Sequence, residues 1–161
     1  MYWALSWFCE NKGNSERYSW KIFIEYGKQD LAVGEYLAEI LIPKQVEQLE
    51  FRTWKISKRF DQDISAVLGA FSWEEGDKTA NMRIAFGGMA AIPKRALATE
   101  NVLRDNIVTE ALLDKACQAL NEDFTPLSDM RASSSYRQEI AQNLLRKAFA
   151  SEQVSLAKAI P

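Results

Sequence analysis

The sequence predicts an α+β domain in which a small antiparallel sheet of three to four strands is covered on one face by about three helices. Segments in which apolar and polar residues alternate occur in the first half of the chain, and segments with apolar residues three or four positions apart follow Pro93. Strands followed by helices, without regular alternation of the two, are typical of this class. The length of 161 residues suits one domain with an additional arm.

Four segments are strand candidates. The stretch Tyr36–Ile42 alternates loosely and is ended by Pro43, and Phe51–Lys58 alternates between two faces. The run Ile64–Trp73 carries apolar residues on both faces, which predicts a strand in the middle of the sheet. A glycine-containing turn joins it to Asn81–Met89, in which Met, Ile and Phe residues fall on one face.

Three helices are predicted after the strands. Pro93 is suited to open the first helix, because its φ angle is already helical. Thr109 is a candidate N-cap for the second helix, whose apolar residues recur at the spacing of one helix face. Ser135 and Gln138 form a capping-box pattern at the start of the third. The apolar stripe of the third helix is predicted to consist of Tyr136, Ile140, Leu144, Ala148 and Phe149.

The two ends of the chain show weaker patterns. Residues 1–20 are expected to form an irregular arm, whose Trp3, Trp7 and Phe8 pack against other parts of the protein because large aromatic side chains are costly to expose. Alternatively, these aromatic residues form a surface that meets another domain. Residues 151–161 are expected to form a loose tail.

The composition excludes several classes of function. The chain has no histidine and only two cysteines. A Ser-His-Asp triad, a histidine-ligated metal site and a four-cysteine cluster therefore cannot be built from its residues. The net charge of −2 favours neither nucleic acid nor an anionic membrane as a partner.

The same composition favours a cytoplasmic protein. Two cysteines without a disulfide framework suit a reducing compartment. No apolar run approaches the roughly 18 residues that a membrane span needs. The segment Met1–Glu10 has neither a basic start nor a small-residue cleavage site, so we expect no signal peptide.

Glycine-rich and acidic groups could carry chemistry, but each also has a structural interpretation. Gly87 and Gly88 could contact a phosphate, yet no Gly-Lys-Ser/Thr follows them, so a strand end that needs close backbone approach is favoured. The acidic pairs in residues 61–63 and 74–75 are expected to be solvated. Acid–base catalysis would require two carboxylates in different environments, and nothing in the sequence requires that.

The basic group Lys55, Lys58 and Arg59 is more specific. A surface cluster of ion pairs explains it, and so does a site for an anionic group such as a reduced flavin or a pyrophosphate. The segment Asp129–Arg137 combines an acid, two arginines and a serine run at a helix start, which predicts capping and ion pairing. Taken alone, the residues indicate an α+β domain with a charged loop.

Three stretches resemble the flavin subunits of xanthine dehydrogenases. The sequence KISKRFDQDI at residues 55–64 is similar to their K-x-S-x-R-x-x-x-D-I stretch. The sequence RIAFGGMA at residues 83–90, followed by PKRA at residues 93–96, resembles another signature of that family. Residues 129–137 match its D-x-R-x-S-x-x-Y-R segment. A fourth stretch upstream, from FIEY at residues 23–26 through Leu31 and then GE at residues 34–35 and IP at residues 42–43, is similar to the end of the preceding flavin-binding module. The order and spacing of all four stretches are preserved, and the resemblance extends over about residues 22–150.

The resemblance implies a place in a molybdenum hydroxylase. In that family a purine is hydroxylated at a molybdopterin centre in another subunit, and electrons pass through [2Fe–2S] clusters to FAD and then to NAD. The implied partners are the rest of the FAD and iron–sulfur subunit and the molybdopterin-binding subunit. No contact with nucleic acid or a membrane is implied. The sequence leaves open whether NAD or oxygen accepts the electrons.

Four positions carry over as flavin-site residues. The resemblance implies that Leu37 packs near FAD and that Lys55 contacts it through its ammonium group. Arg59 and Gln62 would lie in the charged loop beside the isoalloxazine. Some relatives have an acid at the position of Gln62. The uncharged Gln62 departs from that pattern, so the resemblance does not extend to electrostatic tuning of the flavin by this residue. None of these residues is expected to be catalytic or to bind a metal.

The resemblance also divides the chain. Residues 1–43 would be an arm and a remnant of the preceding FAD-binding module, residues 44–150 a domain similar to the C-terminal domain of CO dehydrogenase flavoproteins, and residues 151–161 a tail. The glycine-rich segments that hold the FAD pyrophosphate in relatives have no counterpart here. We therefore expect an inactive fragment that binds FAD weakly or not at all and that could dimerise through apolar surface. The alternatives are a docking domain without a flavin role and a free-standing small-molecule binder.

Overall fold

The structure is a computed structural model whose description covers most of the carboxyl-terminal two thirds of the chain and separate strands before it. The chain divides into two compact units, Met1–Glu47 and Gln48–Pro161. The described residues are 6–11, 14–19, 23–25, 28–29, 31–34, 36–41, 49–59, 64–74, 76 and 78–150.

The first unit contains two small antiparallel sheets. One sheet has the strand order β2-β1-β5, and the other pairs β3 with β4. The strands are β1 (Ser6–Asn11), β2 (Asn14–Ser19), β3 (Phe23–Glu25), β4 (Lys28–Gln29) and β5 (Tyr36–Leu41). The prediction of an irregular arm over residues 1–20 is therefore wrong for β1 and β2, which pair as a hairpin. Backbone pairing forms here without the alternating pattern from which strands are predicted. The predicted strand that starts at Tyr36 is confirmed, whereas Ile42 and Pro43 lie outside the described residues.

The second unit is built on a four-stranded antiparallel sheet with the order β6-β7-β8-β9. The strands are β6 (Leu49–Ile56), β7 (Val67–Glu74), β8 (Ala80–Gly87) and β9 (Lys94–Arg95). Alternation along β7 buries Val67, Phe71 and Trp73 on one face, which we call the inner face. Strand β7 lies between β6 and β8, as predicted for the most apolar strand.

Three helices cover the inner face and confirm the predicted fold class. They are α1 (Leu97–Leu103), α2 (Glu110–Asp123) and α3 (Ser134–Phe149). Helix α3 packs on β7, and α1 packs on β8 and α2. The largest fully buried apolar side chains of this core are Phe71, Phe86, Met82, Ile84, Met89, Leu103, Leu120 and Leu145. Among the described helices, none is long and apolar enough to cross a membrane.

The first helix begins later than the sequence predicted. Pro93 does not open it, because Lys94 and Arg95 form β9 against β8 and the helix starts only at Leu97. A strand of two residues is too short to show a periodic pattern. The buried carboxylate of Glu100 then joins α1 to the sheet, since it accepts hydrogen bonds from Ile84 N (2.8 Å) and Arg95 Nε (2.9 Å).

The start of α1 is capped by a residue from the end of α2. The position before α1 supplies no side-chain cap. Instead, the carboxylate of Asp123 accepts hydrogen bonds from Ala98 N (2.9 Å), Thr99 N (2.9 Å) and Thr99 Oγ1 (2.8 Å). An anion at a helix N-terminus also complements the helix dipole. Helix α2 uses local capping as predicted, with Thr109 Oγ1 accepting from Leu112 N.

The third helix is capped two residues before the predicted position. The N-cap is Ser133, whose hydroxyl accepts from Tyr136 N (3.2 Å), so the capping box at Ser135 is wrong. Of the predicted apolar stripe, Leu144 and Ala148 are buried and Ile140 and Phe149 are partly buried against the core, whereas Tyr136 is 44% exposed and does not belong to it. The buried residues of α3 are Arg137, Ala141, Leu144, Leu145 and Ala148. An arginine thus occupies a position that apolar periodicity cannot identify.

The cap from Asp123 should contribute measurably to stability. Asp123→Asn is expected to lower the free energy of unfolding by about 2 kcal/mol, because buried backbone N–H groups of α1 lose a charged acceptor. Asp114→Asn on the same helix is the control, since Asp114 makes only an exposed ion pair with Arg146; its cost should stay below about 1 kcal/mol. Urea denaturation compares the two, and equal costs would contradict the cap.

Candidate functional site

The sheet face opposite the helices, called the outer face, carries the first predicted site residue. Lys55 is exposed there near the end of β6 and lies directly opposite Leu68 of β7, which lies opposite Gly87 of β8. None of the residues on the outer face is fully buried. In β6, β7 and β8 the outer face consists of Phe51, Thr53, Lys55, Leu68, Ala70, Ser72, Arg83, Ala85 and Gly87, and in β9 Arg95 lies opposite Ala85.

Small residues make the central part of the outer face nearly flat. Beside the row that starts at Lys55 runs a row of Thr53, Ala70 and Ala85, none of which has a long side chain. In the described part of the chain, Lys55 has no ion-pair partner. A flat surface with one unneutralised ammonium at its edge can accept a planar group that carries electronegative atoms on its rim.

The structure describes the predicted site residues unequally. Lys55 lies in β6 and Arg59 lies in the loop that follows this strand, and both side chains are exposed. The strand ends at Ile56, so Arg59 does not lie on the strand face that carries Lys55. Leu37 lies in β5 of the first unit, opposite Cys9 of β1, and its side chain is outside the described part of the structure. Gln62 is outside the described residues as well.

A groove of about 460 Å³ lies between the end of β6 and the start of α3. Its lining includes cationic and hydroxyl side chains, and the ammonium of Lys58 donates to Met130 O at 3.4 Å beside it. The lining residues are Ile56, Ser57, Lys58, Ala66, Arg131, Ala132, Ser133 and Tyr136. The groove therefore connects the charged loop after β6 to the loop between α2 and α3.

A buried arginine joins these segments. Arg137 is 4% exposed, and its Nη1 donates to Ala66 O (2.6 Å) and to Gly88 O (2.7 Å). Its Nη2 donates to Asp129 Oδ1 at 2.6 Å. We call Arg137, Asp129, Ala66 and Gly88 the Arg137 cluster. The sequence predicted ion pairing in residues 129–137 but not the burial of Arg137. No pattern of apolar residues marks this burial, because arginine is among the residues least often found in the interior.

Gly88 occupies the position of closest backbone approach in the Arg137 cluster. Its φ is +80°, and a Cβ added there would lie 2.3 Å from Ala66 O and 3.1 Å from Arg137 Nη1. No larger residue fits without displacing the backbone. The interpretation of the glycine pair as a tight strand end is thereby confirmed, whereas a Cβ at Gly87 would make only an ordinary contact, 3.6 Å from Leu68 Cβ.

Asp129 is held as a carboxylate. It accepts hydrogen bonds from Arg131 N (2.8 Å), Ala132 N (3.1 Å) and Arg137. The bond from the backbone N–H of Arg131, with those from Ala132 and Arg137, lowers the pKa of Asp129 from its ordinary value of 3.8 to about 2. The Arg137 cluster therefore keeps its ion pair throughout the neutral pH range.

The acidic pairs contribute no site among the described residues. Asn81 Nδ2 donates to the carboxylate of Glu74 across the β7–β8 turn, which is a local structural contact. Glu75, Asp61 and Asp63 are outside the described residues. No group of three histidine, cysteine, aspartate or glutamate residues with metal-binding geometry occurs in the part of the chain that the structure describes.

Substitution of Gly88 should destabilise the domain far more than substitution of its neighbour. Gly88→Ala is expected to cost about 1–2 kcal/mol for the left-handed backbone alone, and more because the added Cβ must displace Ala66 O. Gly87→Ala is the control and should change the stability by about 0.5 kcal/mol or less. Urea denaturation measures both, and similar costs would refute the close approach.

The lowered pKa of Asp129 predicts a loss of stability in acid. Because the pKa is lower in the folded state than in the unfolded chain, the contribution of Asp129 is complete above about pH 5 and is lost as the pH falls through about 4 to 2. The gap in unfolding midpoint between the wild type and Asp129→Asn should therefore be constant near neutrality and shrink in that acidic range. A gap that is the same at pH 2 and pH 7 would contradict this.

The fold is similar to that of chains in solved dehydrogenase and oxidoreductase structures. A carbon monoxide dehydrogenase from Hydrogenophaga pseudoflava that lacks the Mo-pyranopterin moiety of its cofactor matches with a TM-score of 0.81 and 20% identity, over 90% of this chain and 51% of that chain. Quinoline 2-oxidoreductase from Pseudomonas putida 86 matches with a TM-score of 0.78 and 20% identity, over 91% and 51% of the two chains. At such identities the likeness establishes the fold.

Sequence comparison leads to the same group of proteins. The glyceraldehyde dehydrogenase medium chain of Sulfolobus acidocaldarius is 29% identical over 120 residues, which are 74% of this chain and 42% of that protein. The chain thus spans about half the length of the relatives that it matches, or less. Residues 52–151 match the model of the CO dehydrogenase flavoprotein C-terminal domain. Because this match covers more than half of the sequence, the chain belongs to the family of CO dehydrogenase flavoprotein C-terminal domains.

Proposed function

We propose that this chain is the carboxyl-terminal part of the flavin-bearing subunit of a molybdenum hydroxylase, where its outer face covers one side of FAD. The observation that carries the proposal is the position of Lys55, exposed without an ion-pair partner among the described residues, beside the row of small side chains formed by Thr53, Ala70 and Ala85. Membership of a flavoprotein domain family supports it.

The residues of the outer face fit part of a flavin. An ammonium group donates only hydrogen bonds, so Lys55 would bind and orient electronegative atoms on the rim of the ring. The row Thr53, Ala70 and Ala85 would exclude water from one side of the ring without obstructing it. FAD, when bound, supplies the redox chemistry that links [2Fe–2S] clusters to NAD. The chain lacks a glycine-rich phosphate segment, so the pyrophosphate would be held by another part of the subunit.

We further propose that the parent enzyme is a cytoplasmic xanthine dehydrogenase. The support is the motif resemblance in residues 55–64, 83–96 and 129–137. In this proposal Leu37, Arg59 and Gln62 lie near the flavin, and residues 1–43 belong to the preceding FAD-binding module. The substrate is a purine, and its hydroxylation takes place in the molybdopterin-binding subunit.

A docking role without flavin contact is the second candidate. Two apolar side chains on the loop between α2 and α3 favour it, because Leu127 is 81% exposed and Met130 is 83% exposed. Large apolar side chains exposed together often mark a surface for another protein. In this case Lys55 would contribute to neither the affinity for FAD nor the flavin potential.

The chain alone should bind FAD poorly. Without a phosphate-binding segment, most of the contacts that FAD makes in a flavoprotein are missing, so we expect no saturation at micromolar FAD. Titration of FAD with the purified chain, followed by flavin fluorescence, measures this. Saturable micromolar binding would show that the chain holds the cofactor by itself and would contradict the proposed division of the site.

In the complete subunit, Lys55→Ala should weaken FAD binding by about tenfold, because a charge-assisted hydrogen bond is lost. It should also shift the flavin midpoint potential. Lys78→Ala is the matched control, since Lys78 is an exposed lysine in the β7–β8 connection. If Lys55→Ala leaves both FAD affinity and potential unchanged while assembly with partner subunits is impaired, the docking role is correct.

A further inference from the structure

We propose that Arg137 is a positioning residue that sets the geometry of the flavin-facing end of β6. This inference rests on the proposed function of Lys55. Arg137 itself does not touch the outer face, because its guanidinium is buried in the Arg137 cluster. It acts through the backbone of Ala66, which lies at the junction between the charged loop and β7.

The backbone of Ala66 links two elements. Its N–H donates to Ile56 O at 2.8 Å, which closes the connection between β6 and β7 at the residue next to Lys55. Its carbonyl oxygen accepts the 2.6 Å hydrogen bond from Arg137 Nη1. The backbone of Ala66 thus connects α3, through Arg137, to the end of β6 at Ile56. Without Arg137, a single hydrogen bond would remain to hold Ala66.

The Arg137 cluster permits little displacement of Ala66. The same Nη1 atom also donates to Gly88 O, and the absence of a side chain at Gly88 allows the carbonyl of Ala66 to approach. Asp129 orients the guanidinium from the other side through Nη2. Because Nη1 donates to the two carbonyls and Nη2 to the carboxylate, one guanidinium serves all three acceptors, whereas a lysine ammonium on a flexible stem lacks this fork geometry.

The loop between α2 and α3 provides a parallel connection. Asp129 receives the backbone N–H groups of Arg131 and Ala132, so the charge that orients Arg137 also orders this loop. Met130 in the same loop accepts a hydrogen bond from Lys58 Nζ at 3.4 Å. The charged segment after β6 is therefore held at its start by this loop and at its end by Arg137 through Ala66.

The test measures amide exchange of single residues in this chain by NMR. In Arg137→Lys, which keeps the charge but loses the fork, the amide of Ala66 should exchange about tenfold faster or more, as expected for the loss of a charged hydrogen bond. The amide of Ala96, which donates to Ile84 O elsewhere in the sheet, is the internal reference and should be unaffected.

Two control variants separate positioning from general destabilisation. Arg146→Lys changes an arginine on the same helix that makes an exposed ion pair with Asp114, and it should leave Ala66 exchange unchanged. Asp123→Asn destabilises the same unit without touching the Arg137 cluster, and it should not accelerate Ala66 selectively over Ala96. Unchanged Ala66 exchange in Arg137→Lys, or a selective acceleration of Ala66 over Ala96 in Asp123→Asn as large as that in Arg137→Lys, overturns the proposal.

The second readout is the flavin midpoint potential of the complete subunit. Arg137→Lys should shift the potential in the same direction as Lys55→Ala, whereas Arg146→Lys should not shift it. If Lys55→Ala has an effect and Arg137→Lys has none, the positioning role is overturned although the proposed function stands. If Lys55→Ala has no effect, the proposed function fails, and selective acceleration of Ala66 exchange still supports Arg137 as the residue that positions this backbone.

Discussion

The connection between α3 and the sheet of the second unit depends on a buried charge, the guanidinium of Arg137. A buried arginine without acceptors would strongly destabilise a fold, and this one is accommodated because two backbone carbonyls and a carboxylate surround it. A buried ion pair is weak support for stability as such, because the desolvation of both charges offsets their attraction. Its more important effect is specificity, since the three hydrogen bonds from Nη1 and Nη2 require one arrangement of α3, the residue before β7 and the end of β8.

The sheet separates stability from function by alternation along the same strands. In β7, Val67 and Phe71 face the helices, whereas Leu68 and Ala70 face outward. The inner face is filled by large apolar side chains, so it tolerates little change in volume. The residues of the outer face, among them Lys55 and the row of Thr53, Ala70 and Ala85, are exposed or only partly buried, so packing constrains their identity less. A change that alters the proposed site therefore need not disturb the core.

Much of this fold could be predicted from the sequence, because the central strands and the second helix carry strong periodic patterns. Apolar and polar residues alternate regularly along β7 and β8. The N-cap of α2, Thr109, directly precedes the first residue of that helix in the sequence. The errors concern features without a local pattern. Strand β9 is too short to show a period, and the start of α1 depends on Asp123, which lies far along the chain.

The candidate site was less predictable, for a related reason. Lys55 and Arg59 were identified by resemblance, but the strand ends between them at Ile56, so they do not share one strand face. The serine run at the start of α3 offered several capping residues, and only tertiary contacts select Ser133. Arginine is among the residues least often buried, so no pattern of apolar residues marks Arg137 as part of the interior.

The hydrogen bond between Arg137 and Ala66 spans 71 residues of sequence, which has a consequence for synthesis. The strands leave the ribosome well before α3, and contacts of such separation form late because the intervening chain must first be ordered. The backbone beside Lys55 therefore remains without one of its two anchors until α3 has been made. A nascent chain that stops before residue 137 would hold the whole sheet and still lack the finished geometry at its proposed cofactor edge.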